Sequence, residues 1–453
     1  MNFRISRFFW RGAWRLSFWS HWFTQSLTPM GKRVAAAAFV GAIFGINTEL
    51  SMVYQFFSIT VSLLFFSMIA AFFMRVQLEA HRSLPAQVMV NKPFAYELRL
   101  LNPTGVVQKD IVIFETFPDP RPHFDEFMQA RGEPEERSRN AYDRWVGFYR
   151  FNRLTEKKRG IRVEMIRLDS IDPHGEVRLR LQATATRRGG IHFSGLSVGR
   201  ADPLGLFRRF TQCPLPGMVL AVPKMIPLPQ HFHIAGGRKH IPGGITMAVR
   251  VGEQDDFFAL RDYRPGDSPR AIFWPGLAKT GKPVVVERQE EFFTRHGLVL
   301  DTLSLVPEAV FEDAVSVTAS LAAGHGHPDE LLDFMFVGLQ SWQFTTGRGF
   351  GGTQRILEIL ANTQPHVDQP FSLLAHRVLS QAKRFSSIII VLIHWDRDRE
   401  SLIHSLLALG LPVRVFLLQG DHSSPPAIAL PNKTLPGFHL LRSATMGQGL
   451  KWS

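Results

Sequence analysis

"VAAAAFVGAIFGINTELSMVYQFFSITVSLLFFSMIAAFFM", residues 34–74, decides how the rest of the chain is read, and its single charge is Glu49. Two apolar runs, Val34–Ile46 and Val53–Met74, flank "NTEL". At about 1.5 Å of rise per residue, the second run alone is long enough to cross a hydrocarbon core of about 30 Å. The first is short; it crosses only if Leu50 and its neighbours join it while Lys32 and Arg33 reach out to the headgroups. The pattern predicts a transmembrane helical hairpin over 34–75 that turns at Asn47–Glu49. Arg4, Arg7, Arg11, Arg15, Lys32 and Arg33 precede it with no acid among them, and Arg75 and Arg82 follow. Positive charge on both outer flanks places both chain ends in the cytoplasm, in a multi-pass arrangement. The basic region is too long for a cleaved signal peptide, and no small-residue cleavage site follows a short apolar core.

The leader, residues 1–33, carries its own pattern. Arg4, Arg7, Arg11 and Arg15 recur at helical spacing, with Phe8, Trp14, Phe18 and Trp22 on other faces. Such a segment is either a helix lying in the headgroup plane or a basic leader whose arginines only set topology. The formal net charge of +13 calls for an anionic partner. Much of that excess sits in the leader, where anionic lipid already accounts for it. A lone cysteine, Cys213, rules out an intrachain disulfide and fits a reducing compartment.

Beyond residue 80 the period becomes two. Phe94, Tyr96, Leu98 and Leu100 alternate with Ala95, Glu97 and Arg99, and "DIVIFETF" and "EVRLRLQATA" alternate likewise. This predicts an all-β sandwich over 80–230. A charged insertion at 118–171 interrupts it, helical around Phe124–Arg131 and Ala141–Phe151. A Pro/Gly/His-rich linker follows. From about Pro283 apolar runs of strand length alternate with helices: "GLVLDTLSLV", "PEAVFEDAVSVTASLAAG", "ELLDFMFVG", "SSIIIVLIH", "RDRESLIHSLLALG", "LPVRVFLLQ". That grammar predicts a doubly wound parallel sheet within 245–420, ahead of a tail, 421–453, with little core.

Several short motifs fail on context. "GLAKTGK" (276–282) lacks the final Ser or Thr of a phosphate-binding loop and leads into a strand-like "VVVE" instead of a helix. "GLSVG" around Ser197 lies on a sandwich strand, where a nucleophile elbow has no strand–turn–helix to stand on. The pairs His231/His233 and His325/His327 have no third close ligand for zinc.

The stretch "FFALRDYRPGDSPRAIFWPGLAKTGKPVVVERQEEFF", residues 257–293, is different. Across 250–295 eight Lys/Arg face eight Asp/Glu. Local neutrality does not suit a nucleic-acid groove, which needs excess positive charge. It suits paired networks. Pro265–Gly266 forms a turn that presents Asp267, with Arg264 or Arg270 as bidentate partner. Trp274 offers a cation a face or fills a core slot.

This run resembles the signature of the domain-of-unknown-function-58 family through Leu260, Arg261, Tyr263, Arg264, Pro265, Gly266, Asp267, Arg270, Ile272, Trp274, Ala278 and Glu287. Arg187, Arg188, Gly189, Asp202, Pro203, Gly205 and Leu206 resemble the segment that precedes it. Pro275 departs from the family's usual Trp-Lys. The resemblance implies a bacterial inner-membrane protein accompanying a MoxR-type AAA+ ATPase in a membrane-linked chaperone or assembly system, with no established catalytic residue. The C-terminal part resembles a von Willebrand A-type domain. In such domains Mg²⁺ is held by residues corresponding here to Asp301, Thr353 and Asp396, but Leu303 and Leu305 replace two oxygen donors. The expectation is therefore no cofactor, with Asp301 capping the helix that starts at Pro307.

The expected function is a membrane-anchored, non-enzymatic adaptor for the ATPase, with lipid contacts through hairpin and leader and none to nucleic acid. The signature cluster is then a brace between strand and loop, or a docking surface. The alternatives are an envelope enzyme using Asp262 or Asp267 as acid or base, and a protein that binds anionic lipid.

Overall fold

The computed structural model describes residues 7, 9–15, 17, 26–44, 51–131, 136, 139–228, 257–267, 269, 272–288, 294–304, 306–324, 330–337, 341–346, 350–366, 369–420 and 437–442. The chain divides into two units, Met1–Val222 and Pro223–Ser453.

The first unit includes the helices α1 (Pro29–Phe44) and α2 (Ser51–Phe73). Among the described residues one helix is long and apolar enough to cross a membrane: Met52–Phe73 within α2, with mean hydropathy 2.2. This overturns the two-span, multi-pass expectation. Over its 16 described residues α1 is about 24 Å long, short of a core of about 30 Å, and Lys32 and Arg33 stand near its start. Gly41 packs on α2, so close to Phe57 that an added Cβ would lie 3.3 Å from the Phe57 Cβ, while Phe39, Val40, Ile43 and Phe44 remain exposed. Asn47–Glu49 and Leu50 lie outside the described residues.

Further strands and helices follow in this unit. They are β1 (Glu79–Ser83), β2 (Gln87–Met89), β3 (Pro93–Leu101), β4 (Gln108–Thr116), α3 (Phe124–Gln129), α4 (Ala141–Val146) and α5 (Phe148–Arg159), then β5 (Ile161–Val163), β6 (Ile166–Ile171), β7 (Glu176–Ala185), β8 (Gly189–Ala201) and β9 (Arg208–Val222). The strands form two sheets, ordered β1-β3-β7-β5 and β2-β9-β8-β4-β6. Period-two alternation sends Tyr96, Leu98 and Leu100 of one sheet and Ile111, Ile113 and Leu196 of the other into one shared core. Arg82 belongs to this lobe rather than to a headgroup flank. It is buried, and its Nη1 donates to Glu115 Oε2 at 2.5 Å while the Tyr96 hydroxyl donates to Glu115 Oε1 at 2.9 Å.

The unit is not all-β. Between β4 and β5 helices α3–α5 build a satellite core on Phe127 and Phe151, while residues 161–171 of the expected insertion pair as strands in the two sheets. Gly147 joins α4 to α5 at φ +74°, with the Phe127 ring 2.6 Å from where a Cβ would stand. The leader docks here. Residues 9–15 are helical, Ala13 is buried in the satellite core, and the Trp10 indole donates to the Pro122 carbonyl at 3.2 Å. The Arg121 guanidinium lies 3.8 Å from the centre of the Trp14 ring. Trp10 and Trp14 thus contact protein, and Phe8, Phe18 and Trp22 lie outside the described residues.

The second unit contains β10 (Phe257–Asp262), α6 (Trp274–Thr280), β11 (Val284–Arg288), β12 (Thr294–Leu300), α7 (Glu308–Gly324), β13 (Glu330–Val337), β14 (Ser341–Thr346), α8 (Phe350–Asn362), α9 (Phe371–Gln381), β15 (Ser387–Leu392), α10 (Arg397–Ala408), β16 (Val413–Gln419) and β17 (Phe438–Arg442). Its six-stranded sheet runs β14-β13-β12-β15-β16-β17. The sheet is mixed, because β14 pairs antiparallel with β13, so the purely parallel expectation is corrected at that edge. Val299, Met335, Ile388 and Ile390 form a core with α9 and α10, and α7 packs against β12, β15 and β16. The tail supplies β17, whose Phe438 and Leu441 are buried. From β12 the sheet grows through β13 on one side and β15 on the other. That reversal is where open α/β sheets bind ligands, beyond the carboxyl ends of the strands.

Candidate functional site

The carboxyl ends of β12 and β15 carry the acids singled out for a metal. Asp301 follows β12 and is fully buried. Asp396 is the N-cap of α10, its Oδ1 accepting the Arg399 amide at 3.0 Å. One turn into α10, the buried Arg399 points back between them. Its Nε donates to Asp301 Oδ2 at 2.7 Å, its Nη1 to Asp396 Oδ2, and its Nη2 to Ser304 Oγ at 2.7 Å. The guanidinium carbon lies 4.3 Å from the centre of the Phe371 ring. Asp301 Oδ1 accepts the Leu303 amide at 3.0 Å, so Asp301 pins its own loop instead of capping α7.

These residues do not fit a resident Mg²⁺. A guanidinium holds the place between the two carboxylates, and the Leu303 side chain belongs to the core. Thr353 lies in the first turn of α8 and shares no described hydrogen bond with Asp301 or Asp396. Leu305 and both His-x-His pairs are outside the described residues. Sequence reasoning missed Arg399, because "RDRES" reads as a solvent-facing first helical turn.

The signature motif forms a separate small structure. Strands β10 and β11 pair antiparallel, with the loop and α6 between them. Asp267 takes a bidentate pair from Arg261, at 2.7 Å from Nη1 and 2.8 Å from Nη2, where the sequence pointed to Arg264 or Arg270. Arg264 contributes its backbone amide, 2.9 Å from Asp267 Oδ2. Gly266 sits at φ +111°, the turn the Pro-Gly pair requires. The Arg261 guanidinium, then the Arg264 amide, hold the Asp267 carboxyl down at about 2. Such a group stays ionised at neutral pH and is poorly matched to general acid–base work. Tyr263 donates its amide to the Pro283 carbonyl at 3.0 Å, tying the loop to the start of β11. Trp274 opens α6 at 61% exposure, neither a core slot nor under a described cation. Arg270 lies outside the described residues.

The upstream resemblance segment makes a third structure, in the first unit. The buried Asp202 carboxylate accepts the amides of Leu204, Leu206 and Phe207 at 2.8–3.0 Å, and Ser67 Oγ of α2 at 2.7 Å. Thr28, just ahead of α1, donates its amide to the Leu206 carbonyl at 3.0 Å. The start of α1 and the end of α2 therefore meet on one turn of the sandwich. Gly31 is obligatory there, since a Cβ would come 2.1 Å from the Leu206 carbonyl oxygen.

No protein-family model matches the chain, and no curated protein matches it. Among solved structures it is weakly similar to a Bacteroides uniformis β-glucuronidase, at 6% identity and TM-score 0.14 over 77% of this chain and 36% of that one. A second is the Vibrio harveyi GH20 exo-β-N-acetylglucosaminidase in complex with N-acetylglucosamine, at 8% identity and TM-score 0.13 over 76% of this chain and 57% of that one. The chain spans about a third and just over half of their lengths, and likeness this weak carries neither fold nor activity.

Proposed function

We propose that the chain is a non-enzymatic adaptor held at the cytoplasmic face of the bacterial inner membrane, where it works with a MoxR-type AAA+ ATPase. The observation that carries the non-enzymatic part is Arg399. It stands between the two carboxylates at the strand ends where an α/β sheet of this order takes its ligand, and it is ion-paired to both. The motif's own acid, Asp267, is likewise committed to an arginine. The membrane part is supported by Met52–Phe73. The ATPase partner comes from the resemblance of residues 257–293 alone.

The test is affinity purification of the detergent-solubilised full chain from its host in the presence of nucleotide. An AAA+ ATPase in stoichiometric amount supports the reading, and a clean preparation without one overturns the partnership.

A further inference from the structure

Four buried polar atoms without a hydrogen-bond partner line one cleft of the first unit: Thr116 Oγ1, Arg121 Nη1, Arg208 Nε and Arg209 Nη1. Unpaired buried donors are costly, and four around one space call for a ligand rich in acceptor oxygens. The cleft, about 910 Å³, also takes in Arg159 from the end of α5. Its lining holds these four arginines and one acid, Asp119, whose Oδ1 and Oδ2 are already taken by Arg121 Nε at 2.8 Å and Nη2 at 2.6 Å. Burial, with Arg167 adding to it, makes the Arg208 charge harder to hold, and Asp110 offsets this only in part. Excess guanidinium with free donors suits a phosphate, whose oxygens match the arginine fork.

The opposite wall is apolar and belongs to α2. Met68, Ala71 and Phe72 face the cleft, and the Arg209 guanidinium lies 4.5 Å from the centre of the Phe72 ring. Arginines ranged beside the last turn of an apolar span stand at headgroup depth, where anionic lipid is concentrated. We propose that this cleft binds the phosphate of an anionic phospholipid, with its acyl chains laid along α2. The proposal rests on the reading of α2 as the membrane anchor.

The full-length protein is reconstituted into vesicles of phosphatidylcholine with or without phosphatidylglycerol. Resistance to alkaline extraction tests α2 by itself. Lipid retained after gentle detergent extraction, counted by mass spectrometry, tests the cleft. Wild type is expected to keep phosphatidylglycerol in preference to phosphatidylcholine, with excess inorganic phosphate failing to displace it. Arg208→Gln and Arg209→Gln each weaken retention about tenfold, the weight of one charge-assisted contact. Arg159→Gln changes an exposed residue in the last turn of α5 and weakens retention in the same sense, so the result does not hang on the buried variants alone. Equal retention by wild type and Arg159→Gln, in protein that resists extraction, overturns the site and leaves the anchor standing. Displacement of the lipid by inorganic phosphate marks a free-anion site and overturns the lipid assignment. Protein that is extracted by alkali overturns anchor and site together.

Discussion

Arg399 and the pair Arg208–Arg209 are buried or half-buried arginines of opposite meaning. Arg399 spends Nε, Nη1 and Nη2 on Asp301, Asp396 and Ser304. Arg208 Nε and Arg209 Nη1 are buried with no acceptor. The same side chain is a finished internal strut in one unit and an open recognition group in the other. Burial alone does not separate the two; what separates them is whether every donor has been satisfied inside the chain.

The largest expected effect comes from breaking the finished strut. Arg399→Ala leaves the Asp301 carboxylate buried without its counter-ion, which costs about 3–5 kcal/mol. Urea unfolding of the full chain in detergent should show the second unit losing that much stability, its midpoint moving to lower denaturant. Adding Asp301→Asn to the same variant removes the stranded charge and should recover part of the loss. An Arg399→Ala chain with an unchanged midpoint would show that the crevice tolerates an unpaired acid, and the contrast with Arg208 and Arg209 would dissolve.

A second, smaller effect is read by pH. His296 is buried on β12, and its Nδ1 shares a 2.7 Å hydrogen bond with Ser387 Oγ. Burial pulls its pKa from 6.5 down to about 4. The unfolded imidazole takes its proton near pH 6.5 and the folded one only near pH 4, so between those values the unfolded state holds more protons. Stability is full above pH 6.5 and falls as the pH drops toward 4, by about 3 kcal/mol. His439, lowered by burial and by Arg414, acts in the same direction. Unfolding midpoints measured between pH 7 and 4.5 should slope for wild type and flatten substantially for His296→Gln. An unaltered slope would assign the acid sensitivity elsewhere.

Much of this was legible in the residues, and the misses have physical causes. Tyr96, Leu98 and Leu100 alternate because a pleated strand must bury every second side chain, so their core was readable. The apolar character of α1 and the shortness of its run were readable too. The strand at 438–442 hides in a tail rich in turn residues and is defined only by pairing with β16. Asp301 and Arg399 stand 98 positions apart, so no local pattern announces their pairing. Arg208 and Arg209 read as surface charge from sequence; only the fold shows that they close on α2. The signature cluster was the reverse case. Its acid was found but Arg261 was not, because Arg261 reaches Asp267 from the paired strand, while Arg264 contributes its amide.

The smallest expected effect concerns that cluster, which lies between the two extremes. Asp267 is satisfied like Arg399, yet its pair with Arg261 is partly open to water, where solvent weakens it. Asp267→Asn should therefore leave the unfolding midpoint of the full chain unchanged. Hydrogen exchange over residues 261–267 should speed up, because the Arg264 amide and the Arg261 fork both lose a charged acceptor. With its pKa held at about 2, Asp267 does not titrate between pH 7 and 4.5, so the exchange difference should be flat across the range in which His296 changes charge. If the cluster is a brace, loss of the ATPase in affinity purification should follow loop opening, and Arg261→Lys, which keeps the charge but not the fork, should reproduce both. If Asp267→Asn releases the partner while the exchange of 261–267 stays at wild-type rates, the carboxylate itself is the contact. The motif would then belong with Arg208 and Arg209, as a group held ready for something outside the chain.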